Sequence, residues 1–469
     1  MRARSLINRA ILIGVALVIL LAIQPERGRF PSVVDIRALE LARNSGADME
    51  EWRLLARFVS ARPEDAALWE RMGVLDHRNG LCEQAVFEFG LAVRYGKLSA
   101  AGLMPYAECQ VERDRFQQAI DLLAPLSGRL DNPTGAEILL ARAYLRLGDA
   151  SNASKAILDW AERESQKPLA VYYLGLYQAL SNPEGAITTL QKAAGMSPEF
   201  ENAYRQIQTA INLGQLQDNP AYQALVLGRA YGSLGEWELA QYAFVTAVQT
   251  DPLYAEAHAW LGEAQHQLGE DGSAELKQAL ALNPDSVLAQ AMNALALQRQ
   301  GDAQGALEFL EKIAAQEPDN PEWLIALGQS RAIAGDLENA LVEFQRAVAL
   351  QPNNVATWQA LADFSLSYQY AVESDGIPAA NKAVLLAPDD PHSLDLVGQA
   401  ALLKGKPGEA EGYFTQAIAQ DPRYAPAHLH LALVYLQYED YSAAISELEK
   451  AAALGNPEAE NLLEQVKTH

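Results

Sequence analysis

Residue types recur about every 34 positions along this chain, and a period of that length commits a sequence to stacked supersecondary units. The clearest run spans positions 321 to 456. There Leu327-Gly328, Gly335-Asp336, Ala340, Phe344, Ala347 and Pro352 are answered by Val397-Gly398, Gly405, Ala410, Phe414, Ala417 and Pro422 at nearly the same offsets. One such unit cannot bury its own apolar face, so neighbours stack and share a continuous core. The 469 residues therefore predict one long solenoid instead of several globular domains.

The units are helical. Hydrophobic residues make up 49% of the chain and aromatic residues only 8%, with alanine and leucine supplying much of the apolar content. A formal net charge of -24 speaks against nucleic acid as a partner, because phosphate binding rests on Lys and Arg displacing counterions. The acidic balance fits either a solvated surface or an acidic partner-binding face.

Arg2, Arg4 and Arg9 precede an apolar run from Ala10 to Ile23, which Leu6 and Ile7 extend. Residues 6–24 are expected to enter the membrane, within a segment 1–30 that forms a cytoplasmic tip and one transmembrane signal-anchor helix. Leu21-Ala22-Ile23-Gln24 lacks a small-x-small cleavage site, although secretion after signal cleavage stays open as the alternative. The arginines before the run place the amino terminus in the cytoplasm and the repeats outside it.

Residues 31–63 are expected to cap the array with two helices, the second opened by an Asp48–Glu51 capping box. Repeat units one to four then occupy 64–198, a non-repeat helix 199–220, units five to eleven 221–455, and a polar capping helix 456–469. Turns at Gly148-Asp149, Gly235-Glu236, Gly269-Glu270, Gly301-Asp302 and Gly335-Asp336 separate the paired helices. Prolines 198, 252, 284, 318, 352, 388 and 422 close the units. One unit is longer than its neighbours, with Tyr368, Tyr370 and Gly376 in the extension.

The pattern resembles the tetratricopeptide-repeat (TPR) family. Trp69, Met72-Gly73, Ala85, Phe89 and Ala92 carry the likeness, as do Leu227-Gly228, Tyr231, Ala240, Phe244, Ala247 and Pro252. The resemblance implies an all-α fold, a right-handed α-solenoid of helix-turn-helix units behind the transmembrane helix. It also implies an interaction scaffold whose first helices line a concave groove for a peptide or helix of another protein. The expected groove positions include Glu70, His77, Arg142, Arg146, Arg229, Glu256, Glu263, Gln329, Asp363 and Asp395. The Lys and Asn set with which some relatives clamp a terminal carboxylate is absent.

No catalytic residue, metal site or cofactor is expected. The chain has no Gly-x-Ser-x-Gly elbow, no Gly-rich phosphate loop followed by Lys, and no His-Glu-x-x-His. His428 and His430 point to different sides of a helix, and His258 and His266 lie two turns apart. Cys82 and Cys109 fall on neighbouring antiparallel helices, which leaves open a disulfide in an oxidising compartment or two buried thiols. These features together describe a membrane-anchored scaffold, without activity of its own, that organises an envelope or secretion assembly. Two alternatives are a cytoplasm-facing adaptor that regulates an envelope-biosynthesis enzyme and the substrate-recruiting arm of a transferase.

Overall fold

Turn chemistry sets the helix pairs. Gly148, Gly235, Gly269, Gly301 and Gly335 all adopt positive φ, between 77° and 85°, which ends one helix and reverses the chain. Asp149, Asp302 and Asp336 then cap the next helix by accepting the backbone N–H of Asn152, Gly305 and Asn339. Second helices end at Met196, Thr250, Leu282, Gln316, Leu350, Leu386 and Gln420, each two residues ahead of a closing proline.

The computed structural model describes residues 33–126 and 135–467, which are helix and turn with no strand among them. They form two compact units, on either side of the Pro252–Leu253 junction. The first begins with α1 (Val33–Ser45) and α2 (Asp48–Ala61). Pairs α3/α4 (Ala66–Arg78, Cys82–Tyr95), α5/α6 (Ala100–Glu112, Phe116–Leu123), α7/α8 (Ala136–Arg146, Ala150–Arg163) and α9/α10 (Pro168–Gln178, Pro183–Met196) follow. A single helix α11 (Glu201–Gln215) then precedes α12/α13 (Pro220–Ser233, Trp237–Thr250).

The second unit holds pairs α14/α15 (Ala255–Gln267, Ser273–Leu282), α16/α17 (Val287–Arg299, Ala303–Gln316) and α18/α19 (Pro321–Ile333, Leu337–Leu350). They continue as α20/α21 (Val355–Ser367, Ile377–Leu386), α22/α23 (Pro391–Leu403, Pro407–Gln420) and α24/α25 (Ala425–Gln437, Tyr441–Ala453), closed by α26 (Pro457–Lys467). The closing helix buries Ala459 and lays Leu462, Leu463 and Val466 over Leu429, Ala432, Leu448 and Ala451.

Within a pair, glycine lets the helices cross closely. Gly73, Gly228, Gly328 and Gly398 face the buried rings of Phe89, Phe244, Phe344 and Phe414, and a Cβ at any of the four would come within 2.4–3.0 Å of the ring. Between pairs, first helices touch one another: α3 with α5, α14 with α16, α18 with α20, α20 with α22 and α22 with α24. Successive second helices make no comparable contact among the described residues. Each stack therefore curves toward its first helices, which form its inner face.

The expected Asp48–Glu51 capping box does not form. The N-cap is Ala47, without a side-chain bond, and Glu51 turns inward to the guanidinium groups of Arg43 and Arg71, at 2.9 and 2.6 Å. Burial raises the Glu51 carboxyl, but bonds from Arg71 and Arg43 hold it below the ordinary carboxylate value. The long unit absorbs its extra residues between α20 and α21: Gln369 and Ala371 take positive φ, and Val372–Gly376 makes one π-helical turn. Tyr368 and Tyr370 pack beside Phe364, with ring centroids 5.7 and 6.1 Å away.

The expected anchor at residues 6–24 lies outside the described residues. Among those described, no helix is long and apolar enough to cross a membrane.

Candidate protein-binding face

The 34-residue period places equivalent side chains side by side on the inner face of the second unit. Glu263, Leu295, Gln329, Asp363 and Gln399 occupy one recurring position of the first helices. Gln267, Arg299, Ile333, Ser367 and Leu403 lie one turn further along the same face. Leu295, Ile333 and Leu403 are 46%, 65% and 43% exposed, and Gln329 is exposed between them. Polar residue type alone does not single out these apolar positions. Counting one period back from Gln329, or one turn forward, finds Leu295 and Ile333.

Most of the polar candidates are already engaged. Glu70 accepts the Ser99 backbone N–H at 3.0 Å and the Ser99 hydroxyl, at the start of α5. His77 meets Glu108 at 2.9 Å. Arg146 reaches Asp114 at 3.3 Å and lies over the Phe116 ring. Arg142 reaches Glu236 at 3.2 Å. In the second unit, Glu263 receives both terminal nitrogens of Arg299, at 2.7 and 2.8 Å. These contacts join neighbouring helices, so a ligand must displace a partner to use such a residue. Arg229 is exposed on α12, and Glu256 is half-buried in the first turn of α14.

Asp363 and Asp395 belong to a histidine ladder across three successive first helices. Nε2 of His392 on α22 lies 3.0 Å from Asp363 on α20, and Nδ1 of His430 on α24 lies 2.8 Å from Asp395 on α22. Gln359 adds bonds to Asp390 and Ser393, at 2.7 and 3.0 Å. The bond to Asp363 raises the His392 pKa above its usual value, with Asp395 and Asp390 adding to the effect. Burial opposes the charged form of His430, yet Asp395 carries its pKa upward, helped by Glu458 and Asp363.

Two other histidines are also placed by carboxylates: His428 lies 2.5 Å from Glu447 and His258 2.6 Å from Glu275. No group of three or more His, Cys, Asp or Glu able to hold a metal occurs among the described residues. Cys82 and Cys109 are joined in a disulfide between α4 and α5, with Cα atoms 5.1 Å apart and both residues buried. Close by in sequence, Asp76 and Glu88 are both buried, and burial beside the Asp76 charge pushes the Glu88 carboxyl up to about 9.

Four stretches of the chain match models described as tetratricopeptide or TPR repeats: residues 138–200, 228–269, 291–355 and 401–466. Together they take in about half of the chain. A TPR repeat-containing protein, YpiA of Bacillus subtilis, is 20% identical over 347 residues, which span 74% of this chain and 77% of that protein. Cellulose synthase operon protein C of Pseudomonas fluorescens is 25% identical over 71% of this chain, but the match spans only 28% of that longer protein. Among solved structures, yeast Tom70 is 15% identical at a TM-score of 0.43, covering 93% of this chain and 95% of its own. A tetratricopeptide repeat protein from Parabacteroides merdae is 15% identical at a TM-score of 0.47, covering 53% of this chain and 99% of its own.

Proposed function

Since the chain belongs to the tetratricopeptide-repeat family, we propose that it is a membrane-anchored scaffold that binds another protein along the inner face of its second unit. The observation that carries this reading is the exposure of Leu295, Ile333 and Leu403 on first helices whose other large apolar side chains are buried or half-buried. Residues of that kind, set among Gln329, Ser367 and Gln399, suit a peptide or helix with apolar side chains at regular spacing. The protein acts by holding its partner and carries out no reaction.

Residues 6–24 anchor the chain, and the repeats lie outside the cytoplasm, where the scaffold serves an envelope or secretion assembly. The Cys82–Cys109 disulfide supports an oxidising compartment and disfavours a cytoplasmic adaptor.

Two experiments test the proposal. A reporter enzyme active only outside the cytoplasm, fused after His469, is expected to be active in the membrane fraction; an inactive fusion would place the repeats inside. Separately, Leu295→Asp with Ile333→Asp is expected to release a partner that co-purifies with the wild-type protein. Retention of that partner would remove the inner face from the account.

A further inference from the structure

In the first unit a single helix breaks the alternation of first and second helices. α11 packs between α10 and α12 without a mate of its own, anchored by Phe200, whose ring stacks on Tyr172 with centroids 4.5 Å apart. The break brings α13 against α7, although five other helices separate them in sequence. A neighbouring link is buried: the Tyr231 hydroxyl donates to the Leu176 carbonyl at 2.6 Å.

The corner between α12 and α13 thereby lands on α7 and α9. Arg142 of α7 reaches Glu236 at 3.2 Å and Glu238 at 3.8 Å, the first of these 94 residues away in sequence. The Tyr173 side chain also favours the charged form of Glu236, and Tyr172 packs edge-on against Tyr173 with ring centroids 5.1 Å apart. Glu236 occupies the N-cap position of α13 yet makes no capping bond, unlike Asp149, Asp302 and Asp336 at the equivalent place. Its carboxylate has been taken from its own helix and given to Arg142.

An arginine with a neighbouring tyrosine hydroxyl, half withdrawn from water, is a carboxylate receptor. We propose that Arg142 and Tyr173 form a carboxylate-binding site that the chain fills with its own Glu236 and Glu238, and for which an acidic segment of a partner protein competes. The clasp holds the first unit closed on itself, and displacing it hands the site to the partner. This concerns the first unit alone and stands whether or not the second unit binds as proposed above.

The test uses the full-length protein and a fluorescent penta-glutamate peptide. Glu236→Gln with Glu238→Gln removes the internal competitor and is expected to raise peptide affinity at least about tenfold over wild type, the scale expected when an intramolecular competitor of high effective concentration is lost. Adding Arg142→Gln is expected to abolish the gain. Equal affinity in wild type and the paired variant, or a gain that survives loss of Arg142, would overturn the proposal. A measurement that needs no substitution supplies the second arm: saturating peptide should speed amide exchange in Trp237–Thr250 of the wild-type protein. Unchanged exchange there at saturation would equally overturn it.

Discussion

Replacing Gly398 by alanine tests the packing rule on which the repeat rests. An alanine Cβ at Gly398 would lie 2.4 Å from a ring carbon of Phe414, where ordinary contact begins at 3.4 Å. Phe414 is fully buried against Ala410, Leu431 and Val434, so the ring cannot withdraw the missing distance of about 1 Å without displacing them. Overpacking of this kind costs about 1–3 kcal/mol. Alanine also removes the helix penalty of glycine, worth about 1 kcal/mol. Gly412, exposed on α23 with nothing within 4 Å of an added Cβ, gains that second effect without the first. The difference between Gly398→Ala and Gly412→Ala therefore isolates the steric cost, about 1–3 kcal/mol. Urea unfolding followed by circular dichroism, with calorimetry for the melting temperature, should show Gly398→Ala destabilised and Gly412→Ala slightly stabilised. Phe414→Leu should recover part of the loss when added to Gly398→Ala. Equal shifts for the two alanine variants would refute the reasoning.

Three further outcomes are expected. Cys82→Ser with Cys109→Ser removes a link spanning 27 residues and should lower stability by about 3–4 kcal/mol on the chain-entropy model, read by denaturation with and without reductant. Because the folded-state pKa of Glu88 is raised to about 9, its native proton favours the fold at low pH, and that contribution is lost as pH rises from about 4.5 toward 9. Glu88→Gln should flatten this dependence, seen in melting temperatures across that range. The raised pKa values of His392 and His430 mean that the ladder among Asp363, Asp390, Asp395 and Glu458 contributes fully below the unfolded histidine pKa, about 6.5, and weakens as pH climbs through the higher folded values. Imidazole resonances followed by NMR titration should report both shifts upward, beside the unshaped values of an unfolded peptide.

The helix pairs were legible because their signals are local. Gly335-Asp336 specifies a turn and a cap within a few residues, and Gly398 with Phe414 repeats a pairing found at Gly328 and Phe344. The inner-face chemistry was less legible, since a partner's identity there depends on neighbouring repeats. Glu263 reads as a free acidic groove residue until Arg299, a unit later, closes on it. Glu51 fits a local capping rule, yet the arginine at position 71 lies twenty residues away and wins it. The Arg142 clasp was hardest to read: it depends on one unpaired helix changing which elements meet. Ile333 was overlooked for a different reason, since an apolar residue on a helix is ordinarily assigned to the core.

The most direct measurement is photo-crosslinking in living cells with a photoreactive amino acid placed singly at Gln329 or Ile333 on the inner face, and at Val342 or Leu385 on second helices. All four positions are exposed, so exposure alone cannot separate them. A scaffold that binds its partner through its first helices predicts the same crosslinked protein at Gln329 and Ile333 and none at Val342 or Leu385. Crosslinks that form only at the second-helix positions, or equally at all four, would contradict the account.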